Sequence, residues 1–364
     1  MFTTLAPATD RLRTGLYALA GAAATPLVPA DYLDPLDPLR SRTDLRARIV
    51  AVRPETPGAA TIVLRPGPGW QPHVPGQYLR IGVDVNGVRH WRAYSLTSRP
   101  DAKDRTITVT VTAIPDGIVS GHLVHHARPG EMVHLEPATG DFTLPATPPD
   151  RVLFVTAGSG LTPVLGMLRS HLDVLADVVV VHSSPTAQDV IAGAELREMA
   201  AAGHIHLIER HTATAGRLGA EQLHDLVPDL AQRETWACGP AGLLDMLEEH
   251  FAASDLLEQL HIERFRPAII EAGDGGTVTF LNTGRKIETD GATSLLDAGE
   301  DAGELMPSGC RMGICFGCVV PLRSGAVRDL RTGEITVAAT GDDVRVQTCI
   351  NTAAAACELD LCTT

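Results

Sequence analysis

The stretch that decides the reading is Ser308 to Cys318, SGCRMGICFGC. Cys310, Cys315 and Cys318 follow a C-x4-C-x2-C spacing, and thirty residues later Cys349 stands alone in VQTCIN. A zinc knuckle would prefer two C-x2-C pairs. A disulfide staple would leave the four cysteines and their intervening glycines unexplained. Four thiolates at this spacing suit a plant-type 2Fe–2S cluster. Thiolates and sulfides carry negative charge, so the loop must turn backbone N–H groups inward, which Gly309, Gly313 and Gly317 permit. Arg311 adds a positive charge beside them. Cys238, Cys357 and Cys362 lie outside the pattern.

The chain around this loop has 364 residues, 44% of them apolar, enough for two or three domains with real cores. Its net charge of −14 argues against nucleic acid or an anionic membrane as a direct partner. Between Ile270 and Thr364 there are 14 Asp and Glu against 7 Lys and Arg, so half of the excess sits in the last quarter. Near the start, Arg11 and Arg13 precede an apolar run that superficially resembles an export signal. The run is short, is interrupted by Pro26 and Pro29, and falls short of the roughly 20 apolar residues of a membrane span. A packed helix from Thr9 to Ala24 is expected instead. Seven cysteines, an odd number, also sit poorly with a secreted disulfide framework, so a cytoplasmic location is expected.

Working backwards, three grammars succeed one another. From about Asp44, short alternating runs (LRARIVAVRPE, AATIVLRPG, QYLRIGVDVNGVRHWRAYSLTS, RTITVTVTAIP, EMVHLEPATGDFTLP) predict five or six antiparallel strands in a small barrel, with Asn86-Gly87 as a hairpin turn. GIVSGHLVHHARPG is the one helical interruption. Its His122, His125 and His126 read as a solvated face rather than a metal site. At Asp150 the pattern becomes strand–helix alternation. RVLFVTAG, DVVVVHSS, HIHLIERHT and ETWACGP read as four apolar strands of a parallel sheet covered on both faces, followed by a linker, HIERFRPAII. From about Gly276 a hairpin (TVTFLNTGRKIETDG) and a short helix (SLLDAGEDAGE) lead into the cysteine loop. The expected divisions are residues 1–44, a helical extension; 45–149, the barrel; 150–268, the α/β domain; and 269–364, the cysteine-bearing domain.

Two further stretches carry chemistry. RAYSLTS, Arg92 to Ser98, ends a barrel strand, and Gly117 to Ser120 opens a helix downstream. An aromatic, an arginine and free helix N–H groups on one barrel could hold a flavin ring and its pyrophosphate. TAGSGLTP, Thr156 to Pro163, is a glycine turn between a strand and a helix, a phosphate cradle without a full G-x-G-x-x-G. ACGP, Ala237 to Pro240, ends a later strand where open α/β sheets bind ligands.

In this order, RAYSLTS, GIVS, AGSGLTP, ACGP and CRMGICFGC with a distant Cys resemble the ferredoxin–NADP reductase superfamily with a C-terminal plant-type ferredoxin domain. The resemblance covers roughly residues 45 to 364. It implies an antiparallel FAD-binding β-barrel, a parallel α/β nucleotide domain and a β-grasp ferredoxin domain. It further implies electron flow from NAD(P)H through FAD and a 2Fe–2S cluster to a partner metalloenzyme. Arg92 and Ala93 would hold the flavin, Arg92 at its pyrophosphate, with Tyr94 stacked on the ring and Ser95 near N5. Gly117, Val119 and Ser120 would cap the pyrophosphate. Gly158, Gly160, Thr162 and Pro163 would cradle the nicotinamide nucleotide, with Cys238, Gly239 and Pro240 beside the nicotinamide. Glu263 and Phe265 would close over the flavin. Cys310, Cys315, Cys318 and Cys349 would ligate the cluster. FAD is favoured over FMN because a pyrophosphate site is present. NADP-preferring relatives carry an arginine after the second nucleotide-domain strand; here that stretch is HSSPTAQDVIAGAEL, leaving Ser183, Ser184 and Arg210 as candidates for a 2′-phosphate. NADPH is expected, with NADH as the alternative. CRMGICFGCVVPLRSGAVRDLRTGE and DYLDPLDPLRSRTDLRARIV are similar to actinobacterial reductases serving membrane acyl-CoA desaturases, so that acceptor is expected. Reductases of CoA epoxidases, ring-hydroxylating oxygenases or P450s, and a redox sensor, are the alternatives.

Overall fold

The computed structural model describes residues 38–40, 44–85, 87–115, 117–265, 274–309, 311, 313, 316–339 and 341–361. The expected helix from Thr9 to Ala24 lies outside the described residues, as do Asn86, Cys310, Cys315 and Cys362.

The alternating runs form β1 (Arg46–Thr56), β2 (Ala59–Pro66), β3 (Tyr78–Val85), β4 (Val88–Ser95) and β5 (Ile107–Thr112), then a one-turn helix α1 (Ile118–Gly121) and β6 (Met132–Leu135). They pair antiparallel in the order β4-β3-β6-β1-β2-β5. A bridge from Leu96 to Val109 and the bond from Thr97 N–H to Thr108 O (2.8 Å) bring the edge strands together and close the barrel at one end. Inside it, Ile49, Ile62, Leu79, Ile81 and Val109 are fully buried, as period-two alternation demands. The tight β3–β4 hairpin pairs Val85 with Val88, with Gly87 at φ 81°.

The second sheet contains β7 (Arg151–Ala157), α2 (Leu161–His171), β8 (Asp177–Ser184), α3 (Gly193–Ala201), β9 (His206–His211), α4 (Ala220–Leu226), β10 (Glu234–Cys238), α5 (Ala241–Ala253) and β11 (Leu260–Glu263). Its order is β11-β10-β7-β8-β9, with every pair parallel. Val178 and Val180 of β8 pack with α2 and α3, while Val179 and Val181 pack with α4 and α5. This explains the unbroken apolar run of that strand. A fifth strand, β11, lies at the head of the stretch expected to be a linker. It is short and only half-buried, and an edge strand needs one partner, so no apolar run announces it.

The third sheet follows: β12 (Gly276–Phe280), β13 (Arg285–Thr289), α6 (Leu295–Asp301), β14 (Val319–Asp329), β15 (Ile335–Ala338), β16 (Val344–Gln347) and β17 (Asn351–Leu359). The path is β13-β12-β17-β14-β15, with β16 on β14 and a parallel β12–β17 pair. The helix α6 starts where Ser294 Oγ accepts from Asp297 N–H (3.1 Å) and lays Leu295 and Leu296 against Val278, Phe280 and Val320, a β-grasp core.

Side chains tie the three sheets together. Gly166 of α2 faces the barrel so closely that a Cβ there would stand 2.4 Å from Leu96 O. Arg169 of α2 donates to Thr97 O (2.6 Å) while holding Glu195 with two bonds (2.8 and 2.6 Å). From the outer barrel face, Arg80 grips Glu136 (2.7 and 2.9 Å) and reaches Ser308 O (3.4 Å) in the third domain.

Candidate functional site

A cavity of about 850 Å³ opens where all three sheets meet. The barrel contributes Arg92, Ala93, Tyr94 and Ser95 from β4, and Gly117, Val119 and Ser120 around α1. The parallel sheet contributes Ser159, Thr162, Glu263 and Phe265. The third domain adds Asp297, Glu300, Arg311, Leu330 and Cys349. Residues 257 positions apart, Arg92 and Cys349, thus line one cavity.

Local chemistry fits a flavin dinucleotide. Burial pushes the Tyr94 phenol pKa up against the pull of Arg92, so the ring stays neutral and presents an apolar face. Ser95 Oγ is buried with no hydrogen-bond partner among the described residues, an unfilled donor inside the cavity. At Gly117 a Cβ would lie 2.3 Å from Ser120 Oγ and 2.5 Å from Ile114 Cγ1, so only glycine lets the chain pass so close. Arg92 anchors one nitrogen on Trp91 O (2.8 Å). Its pKa is lowered first by burial and next by repulsion from Arg311 across the cavity, with Glu300, Tyr94 and Asp297 opposing.

At the carboxyl end of the parallel sheet, Cys238 stands in register between Thr156 on β7 and Glu263 on β11. Cys238 is fully buried, and burial, then the Glu263 charge, raise its pKa well above the ordinary thiol value. The Glu263 carboxyl has no partner for Oε2 among the described residues, and burial raises its pKa to about 8, so it holds a proton at neutral pH. Phe265 packs on the nucleotide-domain core beside it.

The glycine turn follows β7. Gly158 takes φ 54°, Thr162 Oγ1 donates to Ser159 O (2.9 Å), and Pro163 is buried in the first turn of α2. Gly160 presses α2 onto β10: a Cβ there would meet Cys238 O at 2.1 Å and Gly239 N at 2.7 Å. Pro240 precedes α5 in extended backbone. Alanine at Gly160 is therefore expected to cost about 1–3 kcal/mol of stability and to raise the KM for the nicotinamide nucleotide at least about tenfold. Thermal unfolding and steady-state kinetics of the Gly160→Ala variant check this; an unchanged KM would refute the close approach.

Ser183 pairs with Arg210, and Ser184 with His211, at the same end of β8 and β9. Ser183 Oγ is buried without a partner among the described residues, whereas Ser184 Oγ donates to Thr186 O (2.8 Å). Arg210 turns its guanidinium onto the carbonyls of Gly216 (2.9 Å), Ala215 and Arg217, so it braces its own loop. Gly158, Gly160, Pro163, Ser183, Ser184, Arg210, Cys238, Gly239 and Pro240 lie outside the lining of the large cavity.

Cys318 and Cys349 are buried with their Sγ atoms 3.2 Å apart, while Cys310 and Cys315 lie outside the described residues. Left-handed backbone occurs in the described part of the loop at one of the three glycines singled out and at two other residues. Gly313 has φ 77°, and the non-glycines Arg311 (61°) and Phe316 (56°) also take left-handed backbone. Thr348 N–H and Oγ1 both donate to Cys318 O (3.1 Å), so the residue before Cys349 pins the backbone of Cys318. Arg311, read from the sequence as a positive charge beside the cysteines, is paired with carboxylates: it donates to Asp297 Oδ1 (2.6 Å) and to both Glu300 oxygens. That acidic pair, one turn apart on α6, was missed because D-x-x-E on a short helix reads as a solvated face. His122 likewise proves partnered, by Glu131 (2.6 Å).

Residues 72–144 match the oxidoreductase FAD-binding domain family, 154–249 the oxidoreductase NAD-binding domain family, and 278–358 the 2Fe-2S iron-sulfur cluster binding domain family. The chain is 47% identical over 354 residues to an NADPH oxidoreductase of Mycobacterium tuberculosis, covering 95% of this chain and 92% of that protein. It belongs to the ferredoxin-reductase family of NAD(P)H oxidoreductases. A 33% identical relative is the NADH oxidoreductase HCR of Escherichia coli (75% of this chain, 84% of that one). Another, at 31%, is the ferredoxin reductase component of the 3-ketosteroid-9-alpha-monooxygenase of Mycolicibacterium smegmatis (79% and 88%). The fold matches phthalate dioxygenase reductase with a TM-score of 0.61 at 20% identity, over 89% of this chain and 99% of that one. This member of the family is an NAD(P)H-dependent oxidoreductase that uses FAD, a nicotinamide nucleotide and a 2Fe–2S cluster.

Proposed function

We propose that this reductase takes electrons from NADPH and delivers them singly to a membrane fatty acyl-CoA desaturase. When bound, the nicotinamide would supply hydride chemistry, and the flavin and the cluster would supply the conversion of an electron pair into single electrons. The chain's own residues do the rest. Arg92 and the Gly117–Ser120 turn hold the pyrophosphate, Tyr94 covers the ring, and Ser95 offers its unpartnered hydroxyl near N5. Gly158, Gly160, Thr162 and Pro163 seat the nucleotide with the nicotinamide against Cys238, Gly239 and Pro240. The protonated Glu263 donates a hydrogen bond there and Phe265 shuts out water. Cys310, Cys315, Cys318 and Cys349 ligate the cluster. One observation carries the sequence of transfers: Tyr94, Glu263 and Cys349 line the same cavity. That shared lining supports direct transfer without a mobile carrier.

NADPH is favoured by the buried, unpartnered hydroxyl of Ser183 and by the M. tuberculosis relative's name. The desaturase is favoured by the resemblance of the cysteine loop and the N-terminal stretch to reductases of that kind. The net −7 of residues 270–364 suits a basic docking face. A second reading, an oxygenase component as acceptor, is favoured by the monooxygenase reductases among the relatives. Among the described residues no helix is long and apolar enough to cross a membrane. Reconstitution with a desaturase and with an oxygenase decides between them. Turnover with the true acceptor is expected to fall about tenfold between roughly 50 and 300 mM salt, and to prefer NADPH over NADH. A rate insensitive to salt would overturn electrostatic docking, and faster turnover with the oxygenase would overturn the desaturase.

A further inference from the structure

The turn after β14 places a cation against the cysteine loop that the sequence gives no reason to single out. Arg331 N–H and Nε donate to Asp329 Oδ1 (2.7 and 3.3 Å), and Nη2 donates to Oδ2 (2.9 Å). This leaves Nη1 turned to the loop: a Cβ built on Gly313 would lie 2.8 Å from it. The same Cβ would lie 2.8 Å from Cγ2 of Ile350, the neighbour of Cys349. Gly313, at φ 77°, is therefore packed between Arg331 and Ile350. Leu330 N–H donates to Ile350 O (2.7 Å) and pins the turn, while Gln347 Nε2 donates to Gly313 O (2.9 Å) and pins the loop.

A guanidinium held by two bonds to one carboxylate, which also accepts from the backbone N–H of the same residue, keeps its direction. The Arg331 pKa is raised first by its hydrogen bond to Asp329, against the cost of burial, and then by the charges of Asp329 and Cys349. Arg311 contrasts with it, since two carboxylates, Asp297 and Glu300, surround that cation.

We infer that Arg331 is a positioning residue that sets the reduction potential of the cluster, with Asp329 aiming its charge. The inference rests on the four motif cysteines being the cluster ligands. Each electron added to the cluster increases its negative charge, and a fixed cation on the loop favours the reduced form. Asp329 acts with the opposite sign.

The test uses the full chain carrying flavin and cluster, with the cluster potential read by EPR-monitored redox titration, which needs no nicotinamide turnover. Arg331→Gln is expected to shift the equilibrium for cluster reduction about tenfold toward the oxidised form, about 59 mV for a one-electron couple. Arg331→Lys keeps the charge and should stay within about threefold. Asp329→Asn removes the opposing charge and should shift the equilibrium the other way. An ion pair serving structure alone would move Arg331→Gln and Asp329→Asn in the same direction or leave both at the wild-type potential, and either result overturns the inference. Loss of cluster absorption in Arg331→Gln also overturns it, because the residue would then be holding the loop. A wild-type protein without cluster signals would instead overturn the ligand assignment.

Discussion

Serine in place of Cys349 is expected to abolish the cluster's visible absorption and EPR signal and to cut electron delivery to cytochrome c by more than about a hundredfold. Removing a first ligand of a thiolate-held cluster usually costs at least that much in retention or activity. Reduction of ferricyanide by NADPH should persist, because small acceptors can draw electrons from the flavin in the same cavity. Cys349 is buried on the cavity wall next to Cys318, so no solvent water replaces its sulfur readily. Cys357, also buried, lies in β17 packed in the third-domain core; its thiol pKa is raised to about 11 by burial and then by Glu358. Cys357→Ser should therefore leave the cluster signals in place. Intact EPR signals in Cys349→Ser would refute the four-cysteine assignment.

Replacing Glu263 is the second large effect. Leucine there should slow hydride transfer about a hundredfold, the order of loss that follows from misplacing a reacting group by an ångström. Glutamine keeps a donor and should hold the rate within a few-fold. Burial raises the Glu263 pKa from 4.5 to about 8. The folded chain therefore binds a proton over a range where the unfolded chain has released it. The stability this adds is complete below about pH 4.5 and declines as pH rises through about 8. Wild-type Tm should fall over that window relative to Glu263→Gln, whose amide does not titrate. Hydride transfer in wild type should likewise fall above about pH 8, when the carboxylate forms, and the Gln variant should lack that limb. Stopped-flow flavin reduction across pH reads both; an identical alkaline limb in Glu263→Gln would remove Glu263 from the site.

Much of this was written locally. Strand periodicity in LRARIVAVRPE and DVVVVHSS separates a half-wet antiparallel sheet from a doubly covered parallel one, because side-chain alternation and burial follow directly from which faces are covered. The cysteine spacing and the turns after β4 and β7 are likewise properties of a few adjacent residues. What escaped was set by partners that no local pattern announces. β11 carries no apolar run, since an edge strand draws half its order from its partner. Arg210 reads from the sequence as a candidate for a 2′-phosphate and Arg311 as a charge beside the cysteines, and only the folded chain brings the carbonyls of residues 215–217 to one and Asp297 and Glu300 to the other. Arg331 drew no notice as a letter in DLRTGE, and its place on Gly313 exists only once the turn is pinned to Ile350.

The sequence alone determined the three domain types and the cofactors, because strand and helix periodicity and the short motifs that carry the family resemblance lie in residues close together in the chain. Only the tertiary structure decided that Tyr94, Glu263 and Cys349 face one cavity, which carboxyl keeps its proton, and which arginine keeps its charge turned on the cluster loop. Those are matters of desolvation and of charges summed across space. They depend on what packs against a group rather than on what precedes it in the chain.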